Sequence, residues 1–173
     1  MSFLNVEIKA KSNNPAAIRQ YLLNNHAVFR GTDEQTDTYF NVPYGRLKFR
    51  EGNIENNLIY YERANQAGPK NSYFSLLKTD TPELLKEILT KANGVKVVVK
   101  KIREIYYISN VKFHIDEVPG LGSFIEIEAG NKEANLTQED LQKQCEFYIK
   151  EFKIEKGDLL EISYSDMLLE KPI

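Results

Sequence analysis

Residues 3–11, Phe-Leu-Asn-Val-Glu-Ile-Lys-Ala-Lys, alternate strictly: Leu4, Val6, Ile8 and Ala10 fall on one side and Asn5, Glu7, Lys9 and Lys11 on the other. A period of two is the mark of a strand with one buried face. Asn14 followed by Pro15 supplies a cap and a first helical residue, so a helix is expected through about His26, with Ile18, Tyr21, Leu22 and Leu23 turned inward. Strand-like runs follow at 36–41, 45–51, 57–63 and 72–79, separated by the turn signals Pro43-Tyr44-Gly45, Gly52-Asn53 and Gly68-Pro69. Thr81-Pro82-Glu83 opens a second helix that stops at Asn93-Gly94. Strands return at 95–108, 111–118 and 122–129. Thr137 and Asp140 have the spacing of a capping box for a third helix, with Leu141, Cys145, Tyr148, Ile149 and Phe152 on its apolar side. Residues 163–169 suit a short closing helix. Roughly eight strands in hairpin order with three or four helices predict an antiparallel α+β fold, one domain over residues 1–173.

The polar halves of these strands are unusual. Glu7, Lys9 and Lys11 share one face, as do Arg46, Lys48 and Arg50, Lys101 and Arg103, His114 and Asp116, and Glu126 and Glu128. The opposite faces carry Leu47 and Phe49; Val111, Phe113 and Ile115; Ile125 and Ile127. Two arrangements account for this. The charges can form the solvated face of a sheet whose apolar face covers a core. Alternatively the sheet closes into a barrel that is apolar outside, against the helices, and charged within. An ionic interior stays stable only if it holds water and counter-ions. Clustered Lys and Arg match the oxygens of a polyphosphate, and carboxylates among them call for a hard divalent cation, Mg²⁺ or Mn²⁺. No glycine-rich phosphate loop occurs, so side chains would hold the phosphates.

Composition narrows the remaining classes. With 42% hydrophobic and 28% charged residues the chain can bury a core, and its formal net charge of −2 offers no general field for nucleic acid. No apolar run approaches the roughly 20 residues of a membrane span, and the first residues lack a leader pattern, so a cytoplasmic protein is expected. The single cysteine, Cys145, excludes an internal disulfide and is expected to be inert.

Several segments together resemble the CYTH family, the triphosphate tunnel metalloenzymes: Val6-Glu-Ile-Lys-Ala-Lys11, Gln35-Thr-Asp-Thr-Tyr-Phe40, Gly45-Arg-Leu-Lys-Phe-Arg-Glu51, Ile59-Tyr-Tyr-Glu-Arg63, Gly68-Pro-Lys70, Val99-Lys-Lys-Ile-Arg103 and Ser163-Tyr-Ser-Asp-Met-Leu168. The block from His114 to Glu128 is the most specific part. The resemblance implies a closed antiparallel eight-stranded tunnel with helices outside, a divalent metal, and a triphosphate compound as substrate: ATP, inorganic triphosphate or thiamine triphosphate. It implies class IV adenylyl cyclase chemistry first, with a triphosphatase as the closest alternative, and is compatible with a homodimer; Lys9 motivates a further alternative, a non-catalytic polyphosphate- or nucleotide-binding module, and charge and hydropathy give no reason to expect a membrane or nucleic-acid partner. Carried over by position, Lys11, Lys48, Arg50, Arg63, Lys101 and Arg103 resemble the phosphate clamp, extended by Lys9 and Lys78. Glu7, Asp116, Glu126 and Glu128 resemble the metal ligands, and Glu7, Lys11, Arg50 and Glu126 the residues closest to the chemistry. Lys9 departs from the family pattern, in which an acid stands at this position; the change removes one negative charge and adds a positive one.

Other residues keep two readings. His114 is a general base or metal ligand, or else a satisfied wall histidine. Tyr39, Tyr60, Tyr61, Tyr73, Tyr106 and Tyr107 stack on a ligand ring or simply pack. Asp166 beside Tyr164 is expected to anchor the last helix. Like-charge crowding in an empty lumen further predicts that Arg50→Ala or Arg103→Ala costs little stability.

Overall fold

The computed structural model describes residues 3–132 and 135–170; Met1 and Ser2, at the start of the leader reading, lie outside them. Eight strands, β1 (Phe3–Lys11), β2 (Val28–Phe40), β3 (Arg46–Glu51), β4 (Asn57–Arg63), β5 (Lys70–Leu77), β6 (Val95–Ile108), β7 (Val111–Val118) and β8 (Gly122–Gly130), close into an antiparallel barrel. The order around it is β1-β5-β4-β3-β2-β6-β7-β8. Four helices accompany it: α1 (Pro15–Asn24), α2 (Pro82–Asn93), α3 (Gln138–Glu151) and α4 (Tyr164–Glu170). No described helix is long and apolar enough to cross a membrane.

The hydrophobic core lies outside the barrel wall. Val6, Ile8 and Ala10 of β1, Phe113 and Ile115 of β7, and Ile125, Ile127 and Ala129 of β8 pack with Ile18 and Leu22 of α1 and Leu141, Cys145 and Tyr148 of α3. Each large aliphatic side chain so covered contributes about 1.5–3 kcal/mol. Because successive side chains alternate across a strand, this outward burial forces the charged positions inward. Cys145 is buried with its thiol on the Val6 carbonyl at 3.2 Å, and burial pushes its pKa up to about 12, which keeps it a neutral thiol at pH 7.

Three elements differ from their sequence-based bounds by two residues or more, and one of them, β5, is simply shifted from 72–79 to Lys70–Leu77. Helix α1 ends at Asn24, because His26 takes a left-handed φ of 56° and the amide of Ala27 turns back to the Leu22 carbonyl. Strand β2 starts at Val28, eight residues before the run that alternation marks. Its first half, Val28 to Gln35, holds Gly31 and several polar residues and reads as a loop by propensity. It extends because the long β6 offers it a pairing partner from Tyr107 back to Val95, with a bulge at Gly31, whose φ of 125° suits glycine.

The two ends of the barrel are unlike. At one end Tyr164 of α4 packs on Phe124 at 4.9 Å between ring centroids, and Met167 and Leu168 join Tyr39, Tyr61 and Val99 in a second apolar cluster. Asp166 caps α4 by accepting from Ser163 and pairs with Arg46 at 3.0 Å, the anchoring role expected of it. This end is closed. The other end, formed by the starts of β1 and β2, the β3–β4 and β6–β7 turns and the end of β8, is open.

Candidate functional site

Between these ends lies a cavity of about 900 Å³. Its wall comes from the inward parity of all eight strands. Among the described residues nine basic side chains and five carboxylates line it, in a chain whose formal net charge is −2.

Three ionic groupings divide the lumen. In the first, Asp37 of β2 accepts from Arg50 through both carboxylate oxygens at 2.8 and 2.9 Å, from Lys48 at 2.9 Å and from Lys101 at 2.8 Å. Burial works against its charge, but Arg50, Lys101 and Lys48 hold its carboxyl well below the usual range. One buried carboxylate thus gathers three cations on neighbouring strands and points them into a common space. Glu55 adds a bridge to Arg50 at 2.9 Å and pairs with Lys112. It reaches the lumen because the β3–β4 turn is folded inward. Asp33 accepts from the amides of Ile54 and Glu55 at 2.9 and 3.0 Å, and Gly52 leaves room for that carboxylate, which would sit 2.5 Å from a Cβ there.

The second grouping is Arg103 with Asp116 and Glu126. Arg103 donates to both oxygens of Asp116 at 2.7 and 2.6 Å and to Glu126 at 2.9 Å, and Tyr164 donates to Asp116 at 2.8 Å. Asp116 is therefore fully engaged and lies outside the cavity lining. Lys9 reaches Glu126 from β1, with Nζ 3.4 Å from the carboxylate and 3.8 Å above the Tyr164 ring. Burial lowers the Lys9 pKa, and Glu126 opposes that shift.

The third is a set of potential metal donors. His114, Glu126 and Glu128 bring one ligand atom each within 4.8 Å of one another. Nδ1 of His114 is 3.3 Å from Glu126 and 3.7 Å from Glu128, and its buried Nε2 has no partner. Burial, with Arg103 and Lys112 nearby, lowers the imidazole pKa to about 3, so it is a neutral ligand at pH 7. Burial and the adjacent Glu126 raise Glu128 to about 7. Two carboxylates and a neutral imidazole fit a divalent cation, which would relieve that repulsion. Arg63 is paired with Glu7, yet its Nε and Nη2 atoms are buried without a partner. Arg63 lines the cavity, and a guanidinium with unmet donors suits an anionic ligand.

Of the residues singled out from sequence, Glu7, Lys9, Lys48, Arg50, Arg63, Lys101, Arg103, Glu126 and Glu128 all line this cavity. Asp116 lies behind Arg103. Lys11 and Lys78 are not brought in. Lys11 is exposed at the end of β1, paired in register with Phe124 at the closed end, and Lys78 is exposed one residue beyond β5 at the opposite rim. His114 joins the donor set, while Glu7 is committed to Arg63. Sequence reasoning passed over Asp37, Glu55 and Lys112. Asp37 and Lys112 share the inward parity of Tyr39 and His114, which was a usable signal; Glu55 sits in a turn and gave none. The ion pairs also reverse the expectation for Arg50 and Arg103. Each compensates buried carboxylates, so its removal strands them rather than relieving crowding.

Comparison with known proteins agrees with this architecture. A family model described as CYTH domain matches residues 4–163. The candidate adenylate cyclase MJ0240 of Methanocaldococcus jannaschii is 28% identical over 181 residues, covering 95% of this chain and 98% of its own. The solved PH1012 protein of Pyrococcus horikoshii superposes with a TM-score of 0.75 at 23% identity, covering 94% of this chain and 98% of that one. HpAC1 from Hippeastrum, described as a candidate adenylyl cyclase with a dominant triphosphatase activity, gives 0.60 at 14% identity over 96% and 94%.

Proposed function

This chain belongs to the CYTH domain family, and from that membership we propose that it is a metal-dependent enzyme acting on a triphosphate inside the barrel, with conversion of ATP to cyclic AMP and pyrophosphate as its reaction. The observation that carries this is the excess of cations in a cavity of about 900 Å³ closed at one end only, several of them converging on Asp37 and two donors of Arg63 unmet.

In this reading Lys48, Arg50, Lys101 and Arg103 bind phosphoryl oxygens, with Arg63 adding its free donors and Lys9 a point charge near Glu126. Their positions are fixed in advance by Asp37, Glu55, Asp116 and Glu7, so little reorganisation accompanies the growth of charge in the transition state. Glu126, Glu128 and His114 would hold the divalent cation, Mg²⁺ or Mn²⁺. When bound, that cation neutralises phosphoryl charge and orients the reacting groups. Glu7 acts on the site through Arg63, and Asp116 through Arg103. Lys11 and Lys78 have no part in phosphate binding. In the cyclase reaction the deprotonated 3′-hydroxyl attacks the α-phosphorus and pyrophosphate leaves along the clamp.

Hydrolysis of the terminal phosphate is the second reading, supported by the similarity to HpAC1. The Lys9–Glu126 contact supports a third, a binding module without turnover, because it places a cation on a proposed metal ligand. Purified protein incubated with ATP, inorganic triphosphate or thiamine triphosphate, each with Mg²⁺ or Mn²⁺, separates them by product. Cyclic AMP with pyrophosphate is the expected outcome. Orthophosphate release identifies the hydrolase, and no product from any combination contradicts an enzymatic role.

A further inference from the structure

Of the five carboxylates that line the lumen among the described residues, four, Glu7, Asp37, Glu126 and Glu128, are carried by strands and fixed by the ladders on either side. The fifth, Glu55, comes from the turn between β3 and β4. That turn is a firm post. Asp33 accepts from the amides of Ile54 and Glu55, and Asn53 is tied to β2 through the Thr32 carbonyl at 3.1 Å and the Glu34 amide at 2.7 Å. Asn56 closes the turn by accepting from the Gly52 amide and donating to the Gly52 carbonyl. The movable part is therefore the Glu55 side chain, whose withdrawal breaks no ladder bond.

From this post Glu55 reaches into the clamp. One carboxylate oxygen accepts from Nη1 of Arg50 at 2.9 Å and from Nε2 of Gln35 at 3.1 Å, and the other accepts from Nζ of Lys112. Burial works against its charge, but Lys112 and Arg50 hold its pKa below the usual carboxylate range, so it is an anion at pH 7. A guanidinium, an ammonium and an amide gathered on two anionic oxygens are the contacts that a phosphoryl group draws. Arg50 keeps its place without Glu55, because Asp37 accepts from its Nε and Nη2.

Resting on the triphosphate reading above, we infer that Glu55 is a built-in competitor of the substrate: in the empty barrel its carboxylate occupies donors of Arg50, Gln35 and Lys112, and an incoming polyphosphate binds by displacing it. Until then Glu55 holds Arg50 and Lys112 where a phosphoryl group needs them. Exchanging one anion for another spares the lumen a state in which buried cations have neither partner nor water. The exchange also lowers apparent affinity, by the fraction of molecules whose Glu55 has withdrawn. When an anionic product is to leave, the same carboxylate returns to the vacated donors and favours its departure.

The test is calorimetric titration of the full chain with inorganic triphosphate and Ca²⁺, comparing wild type, Glu55→Gln and Glu55→Asp. Both variants keep the backbone amide that Asp33 holds. The Asp variant also keeps the charge on the turn, but stops one methylene short of Arg50 and Lys112. Both are expected to bind about tenfold more tightly than wild type, because the competing carboxylate no longer makes its contacts. Unchanged or weaker binding by Glu55→Gln overturns the inference and leaves the triphosphate reading intact, since Glu55 would then only organise the clamp. A gain in Glu55→Gln without one in Glu55→Asp assigns the effect to net charge in the lumen and overturns direct competition. No binding by any of the three overturns the triphosphate reading itself. Wild type alone supplies a second measurement that needs no variant to fold: a crystal structure with inorganic triphosphate. The Glu55 carboxylate is expected to have left Arg50 and Lys112; a carboxylate still bridging both, with triphosphate in the barrel, overturns the inference.

Discussion

Individual ionisable residues in the barrel are held by partners, and this makes their substitutions informative. Arg103 satisfies Asp116 and Glu126 at once. Arg103→Ala is expected to cost about 3–5 kcal/mol in urea unfolding at pH 7, since two buried carboxylates lose their cation; an unchanged midpoint would contradict the pairing. Glu128 behaves in the opposite sense. Its folded pKa, about 7, is above the ordinary 4.5, because burial and Glu126 disfavour its charge. A raised pKa gives stability that is fully present below pH 4.5 and lost as the pH rises through 7. Metal-free Glu128→Gln should therefore be more stable than wild type by about 1–3 kcal/mol at pH 8, with the difference gone near pH 4. A constant offset at both pH values would remove Glu126–Glu128 repulsion as the cause. At this scale the sequence was legible wherever parity operated, as with Lys101, Arg103, Glu126 and Glu128. It was silent on Glu55, whose entry depends on Asp33 folding the β3–β4 turn inward, and misleading on Lys11 and Lys78, whose parity is right but which stand exposed at the two ends of the barrel, outside the cavity lining.

The elements differ in how much of their structure is local. Alternation alone defines β1, β7 and β8, and Thr137 with Asp140 defines the start of α3 through the reciprocal cap that forms there. The first half of β2 was not readable, because its conformation comes from pairing with β6 and not from its own residues. Helix α4 is too short to persist without tertiary contacts, and its place depends on the Ser163–Asp166 cap, the Arg46 pair and the Tyr164 packing. Asp166→Ala is expected to lower global stability by about 1 kcal/mol. It should also speed hydrogen exchange in residues 163–170 well before it affects β7 or β8. Uniform acceleration across the barrel would show that α4 is not a separate closure.

At the scale of the whole molecule, the barrel is inverted over much of its length: its larger apolar core is outside under α1 and α3, and its charge is within, beside an apolar cluster at the closed end. Such a lumen is held together by balance between its own ions, and a bound metal with a triphosphate completes that balance. Ligand that binds only the folded state stabilises it by about 2.7 kcal/mol at a hundredfold excess over Kd. Mn²⁺ and ATP together are thus expected to raise the unfolding midpoint by more than the sum of their separate effects, and to do so far less in Glu126→Gln. Additive shifts would mean that the two do not share a site. The most direct measurement is a crystal structure with Mn²⁺ and a slowly reacting ATP analogue, using anomalous scattering at the manganese edge. The account predicts manganese on Glu126, Glu128 and His114 and phosphates against Arg50, Lys101 and Arg103; manganese elsewhere, with the nucleotide outside the barrel, would contradict it.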